Sequence, residues 1–138
     1  MRYWCTLNFY KTIKVERNME NLRIEGSDDT PVVVLDKGKA IFEISGRSLP
    51  EDVLQFYDPV INWIKQYSQD PNPTTAFSFK LDYFNTASSK VLLDLLNRLK
   101  DIKGIGIVWY YYEDDEEILD AGKEFSEQVD APFEFRIY

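Results

Sequence analysis

The chain has 138 residues, 44% of them apolar and 15% aromatic, which suits one folded domain with a single core. Its 24 acidic and 16 basic side chains leave a net charge of −8, the wrong sign for binding nucleic acid or an anionic membrane. Histidine is absent and Cys5 is the lone cysteine. Serine triads, Cys-His pairs, internal disulfides and His- or Cys-rich metal sites are thereby excluded, and a binding or regulatory role moves ahead of catalysis.

Residues 1–18 stand apart. Arg2, Lys11, Lys14 and Arg17 against Glu16 give them +3, while residues 19–138 carry −11. Asn8, Lys11 and Lys14 interrupt their apolar residues, unlike a signal peptide. Tyr3, Trp4, Leu7, Phe9, Tyr10 and Ile13 would make an added strand. Equally, Met19 reads as the start, with Glu16-Arg17 encodable by a purine-rich ribosome-binding string. The division is therefore an N-terminal extension over 1–18 and one domain over 19–138. No apolar run approaches the roughly 20 residues that span a bilayer, so a cytoplasmic location is expected.

From Met19 the elements follow in order. Leu22–Ile24 is a short extended piece, and Gly26–Pro31 is a cluster of turn formers. Pro31–Asp36 and Ala40–Ser45 form a hairpin around Asp36-Lys-Gly-Lys39. Ser48-Leu-Pro-Glu51 fits a capping box that opens a helix to about Ser68, with Pro59 predicting a kink or break near Tyr57-Asp58. Phe77, Phe79, Leu81 and Tyr83 alternate with polar residues as a half-buried strand. Leu92, Leu95, Leu96 and Leu99 mark the apolar face of the next helix. Ile107–Tyr112 is a strand, and Asp114–Glu117 put four acids on the first turn of a helix whose inner face carries Ile118, Ala121 or Gly122, Phe125 and Val129. Pro132–Ile137 alternates as a final strand. The fold class is α/β, a single compact layer domain of order β(β)β-α-β-α-β-α-β with a mixed sheet and about three main helices.

Four stretches bear on chemistry. Asn85-Thr-Ala-Ser-Ser89 lies where the period switches from strand to helix; it reads as a cap, and equally as a phosphoacceptor beside the helix N-terminus with Lys90 one turn on. The acids of Tyr112–Glu117 lack the ligand spacing of a calcium loop and read as a solvated helix start. Arg47 and Ser48, at another strand-to-helix turn, would pair with a phosphate or partner carboxylate, or be ordinary surface and cap. Trp109–Tyr112 would place two rings in the core and two outward.

Five strings carry a resemblance: Met19-Glu-Asn-Leu-Arg-Ile-Glu-Gly26, Phe42-Glu-Ile-Ser-Gly-Arg-Ser-Leu-Pro-Glu51, Tyr83-Phe-Asn-Thr-Ala-Ser-Ser-Lys90, Asp115-Glu-Glu-Ile-Leu-Asp-Ala-Gly122 and Pro132-Phe-Glu-Phe135. Together they resemble the SiaC family of bacterial regulatory phosphoproteins, across residues 19–138. The resemblance implies a STAS-like, non-catalytic partner-switching protein that needs no metal or cofactor. It implies Thr86 as phosphoacceptor, a GHKL-type kinase, a PP2C-type phosphatase, and a diguanylate cyclase bound in the unphosphorylated form, hence cyclic-di-GMP and biofilm signalling. Asn85, Ala87, Ser88, Ser89 and Lys90 would shape the docking surface, with Arg47 and Ser48 as further candidates. Two alternatives stand beside this: a small acidic enzyme using Mg²⁺ on Asp82 and Asp114–Glu117, and a purely structural interaction domain.

Overall fold

The computed structural model describes residues 19–138, so the strand or leader expected within 1–18 lies outside the described residues. Six strands run β1 (Leu22–Ile24), β2 (Val32–Asp36), β3 (Ile41–Ser48), β4 (Thr75–Phe84), β5 (Ile105–Tyr111) and β6 (Phe133–Ile137). Three helices connect the last four: α1 (Val53–Tyr67), α2 (Thr86–Leu99) and α3 (Glu116–Gln128). The spatial order of the strands is the chain order. The β1–β2 and β2–β3 pairs are antiparallel, and β3 to β6 are parallel. This is the mixed α/β layer expected from the sequence.

Sequential order with crossovers of one hand stacks all three helices on one face of the sheet. Burial follows that layout. Val33, Leu35, Phe42, Ile44, Phe77, Phe79, Leu81, Ile107 and Trp109 form one cluster with the inner faces of the helices. Ser78, Lys80, Asp82 and Tyr110 face the other way, where Lys80 pairs with Glu43 at 3.0 Å and lies 4.8 Å above the Tyr110 ring. Because β3 to β6 are parallel, their carboxyl ends and the amino ends of the three helices share one edge of the molecule.

Two expectations are corrected in α1. Ser48 does not cap it, because β3 runs through Ser48 as an extended residue paired with Phe84. Asp52 caps instead, its Oδ1 accepting the Gln55 N–H at 3.1 Å. Pro59 does not break the helix, which is continuous from Val53 to Tyr67. Its missing hydrogen bond costs about 3 kcal/mol, while burying Tyr57, Val60, Trp63, Ile64 and Tyr67 returns roughly 1.5–3 kcal/mol each. Tertiary packing wins. In α3, Asp114 and Asp115 precede the helix, so the first turn holds two acids, Glu116 and Glu117, rather than four.

Candidate functional site

The turn from β4 into α2 is built by Asn85. Its backbone is extended (φ −89°, ψ 177°) and its Oδ1 accepts the Ser88 N–H at 2.9 Å, while its carbonyl accepts the Ser89 N–H at 2.9 Å. This is a full N-cap. Thr86 is consequently the first helical residue and is exposed, as is Ala87. The N–H groups of the first helical residues have no acceptor within the helix and point along its axis, where the dipole favours an anion. Ser89 is half-buried and Lys90 is exposed.

Beneath the turn lies a line of buried hydroxyls. The Ser88 Oγ donates to the Ser48 carbonyl oxygen at 2.8 Å and sits 2.9 Å from Ser48 Oγ, which in turn is 2.6 Å from the Tyr57 hydroxyl. One proton per hydroxyl gives a single consistent direction: Tyr57 to Ser48 Oγ, Ser48 Oγ to Ser88 Oγ, and Ser88 Oγ to the Ser48 carbonyl. Burial pushes the Tyr57 phenol up to about 12, with the Ser48 hydroxyl opposing part of that rise. The same Ser48 carbonyl accepts the Asn85 N–H at 3.3 Å. The end of β3 thus holds the residues on both sides of Thr86.

Ser48 and Ser88 are both fully buried, which corrects their expected place on a docking surface. They support the turn from below and present nothing to a partner in this conformation. The exposed members of the expected set are Thr86, Ala87, Lys90 and Arg47, flanked by the half-buried Asn85 and Ser89.

A register shift between Gly46 and Arg47 sets what surrounds the turn. Gly46 pairs with Leu81 but Arg47 pairs with Tyr83, so Asp82 is passed over. Gly46 takes φ +103°, a conformation open to glycine and strained for other residues. A bulge of this kind re-aims side chains. Phe84 therefore turns inward onto Trp109 and Phe125, at ring separations of 6.3 and 6.1 Å. Tyr83, expected inside by strict alternation, is 42% exposed instead. Arg47 lies over its ring, 5.3 Å from the centroid. No sequence signal marked this pairing, because the two residues belong to different strands and face each other only through the register that the bulge sets.

The acidic stretch does not assemble a cation site. Asp115 caps α3 by accepting the Ile118 N–H at 3.1 Å, and Asp82 receives the Tyr138 hydroxyl at 3.4 Å. Among the described residues no three His, Cys, Asp or Glu side chains converge as a metal site. Of the aromatic run, Trp109 is buried and donates to the Ile118 carbonyl at 2.8 Å, while Tyr112 stacks on Tyr138 at 4.4 Å on the outer face. Among the described residues no helix is long and apolar enough to cross a membrane.

Comparison with known proteins follows the same lines. A family model described as SiaC family regulatory phosphoprotein matches residues 24–138. An uncharacterized protein of Pseudomonas aeruginosa (strain UCBPP-PA14) is 27% identical over 119 residues, covering 83% of this chain and 94% of the relative. The crystal structure of apo-SiaC from Pseudomonas aeruginosa superposes with a TM-score of 0.78 at 26% identity, covering 86% of this chain and 99% of that one. SiaC from the same organism, in the crystal structure of diguanylate cyclase SiaD in complex with its activator SiaC, gives 0.79 at 26% identity, covering 85% and 99%. With the family model spanning β2 to β6, the three helices and the capped turn at Thr86, this chain belongs to the SiaC family of regulatory phosphoproteins.

Proposed function

We propose that this chain is a non-catalytic, partner-switching regulator whose unphosphorylated form binds and activates a diguanylate cyclase, and that reversible phosphorylation of Thr86 controls that binding. The related SiaC is the activator of diguanylate cyclase SiaD in a solved complex, which supports the cyclase as partner. The observation that carries the choice of residue is the contrast among the three hydroxyls of the turn. Thr86 is exposed, Ser89 is half-buried, and Ser88 is buried and engaged with Ser48. A kinase of the GHKL type and a phosphatase of the PP2C type complete the cycle that the family resemblance implies, in the bacterial cytoplasm and in the service of cyclic-di-GMP signalling.

The electrostatics favour a switch that leaves the fold intact. A phosphothreonine adds about −1.5 to −2 charges and three acceptor oxygens to an already exposed position. Inside an interface the same dianion, desolvated and unpaired, costs several kcal/mol, and every 1.4 kcal/mol is about a tenfold change in affinity. Exchange of partners needs no larger effect. The sheet supports a surface role as well: among the described residues strand order never reverses, so their parallel strands form no switch-point crevice of the kind that holds small ligands in open α/β sheets.

The test is site mapping. After treatment with the cognate kinase and nucleoside triphosphate, mass spectrometry is expected to find phosphate on Thr86, and Thr86→Ala to remain folded and unmodified. Phosphate on Ser88 or Ser89 with Thr86 untouched would overturn the assignment.

A further inference from the structure

Four arginines lie among the described residues. Arg23 pairs with Glu25 at 2.9 Å, Arg98 with Asp94 at 3.8 Å, and Arg136 with Glu134. Arg47 alone of the four has no carboxylate partner, although acidic side chains outnumber basic ones by 23 to 12 over residues 19–138. Its guanidinium rests on the Tyr83 ring. The neighbouring residue, Ser48, is the one whose carbonyl holds Asn85 and Ser88 on either side of Thr86. The unpaired, exposed arginine therefore precedes by one residue the anchored base of the Thr86 turn, in register with Tyr83, three residues before Thr86.

The geometry points to Arg47 as the residue that receives the phosphate of phosphorylated Thr86, leaving the Tyr83 ring to do so. The inference rests on Thr86 as the acceptor. An exposed cation–π contact is weak, whereas a guanidinium pairs with phosphate through two parallel charge-assisted hydrogen bonds. The phosphate is the stronger partner and takes the side chain. Phosphorylation then changes the surface twice over: it adds a dianion at Thr86, and it strips Arg47 from Tyr83 so that the bare ring faces the partner. Arginine suits this role better than lysine, because the planar fork both stacks on an aromatic ring and matches a phosphate.

The experiment uses the full chain with phosphothreonine installed at position 86 during synthesis, so it does not depend on a kinase. Phosphorus NMR follows the second ionisation of the phosphate, near pH 6 when unperturbed. With Arg47 present that ionisation is expected about one pH unit lower than in Arg47→Ala, with Arg47→Lys between them. The Tyr83 ring resonances are expected to shift on phosphorylation in the wild-type chain and to stay in place in Arg47→Ala. Matching thermal melts of the unmodified variants confirm that an exposed side chain was removed without unfolding. Identical phosphate titrations in the wild-type and Arg47→Ala chains would overturn the proposal. Absence of phosphate from Thr86 after kinase treatment would instead sink the acceptor assignment, and the installed phosphate would still report on Arg47.

Discussion

The Ser88 hydroxyl donates to the Ser48 carbonyl oxygen at 2.8 Å across 40 residues of chain, and this one bond fastens the first turn of α2 to the last residue of β3. Ser48 Oγ bridges onward to Tyr57, so three elements meet under the Thr86 turn. The turn is thus held from below by buried hydroxyls while its upper side stays open to solvent.

Removing the bridge should cost more than removing its end. Ser48→Ala orphans the buried Tyr57 hydroxyl and is expected to lower stability by about 1–3 kcal/mol. Tyr57→Phe removes donor and hydroxyl together and is expected to cost about 1 kcal/mol. Urea denaturation of the two single variants and the double variant checks this, with the double costing less than the sum because the residues touch.

Alkaline pH should expose the same network. Below pH 10 Tyr57 is neutral whether folded or unfolded, and its contribution is complete. Above that the unfolded chain loses the phenolic proton while the folded chain keeps it to about 12, so stability falls across pH 10 to 12. The loss amounts to roughly 3 kcal/mol for a two-unit rise. Denaturation midpoints taken from pH 8 to 12 are expected to decline less steeply in Tyr57→Phe.

Capping gives a smaller, separable effect. Asn85→Ala removes the acceptor for the Ser88 N–H and is expected to cost about 1 kcal/mol, whereas Asn85→Asp keeps that acceptor. Thr86→Ala, at an exposed position, should stay within about 0.5 kcal/mol of the parent. Thermal melts of the three variants distinguish the cap from the acceptor.

Gly122 is a packing site. A Cβ there would lie 2.4 Å from Trp109 Cδ1, at the point where α3 crosses β5. Gly122→Ala is expected to destabilise by about 1–3 kcal/mol through overpacking, with a change in Trp109 fluorescence as the indole is displaced from the Ile118 carbonyl it donates to.

Much of this was legible from local pattern. The alternation of Phe77, Phe79 and Leu81 and the spacing of Leu92, Leu95, Leu96 and Leu99 located β4 and α2, since each pattern reports directly which side chains face the core. Asn85 as a cap followed from residue type. Alternation failed at Tyr83 because a bulge adds a residue to one strand, and nothing local to Tyr83 or Phe84 announces it. Ser48 was misread for a related reason. Ser-x-x-Glu is a genuine cap signature, but whether β3 continues through the serine depends on pairing with Phe84, 36 residues away. Pro59 misled in the opposite direction, because local cost was outweighed by burial visible only after folding. The Arg47–Tyr83 contact and the Ser48–Tyr57–Ser88 line join residues from separate elements, and single-sequence pattern carries no record of either.

The central claim is that phosphate on Thr86 governs cyclase binding, and calorimetric titration of the cognate diguanylate cyclase tests it most directly. The unmodified chain and Thr86→Ala are expected to bind with similar affinity, and the chain phosphorylated at Thr86 at least tenfold more weakly, with Thr86→Glu also weakened. Equal affinity of the phosphorylated and unmodified chains for the cyclase would contradict the account.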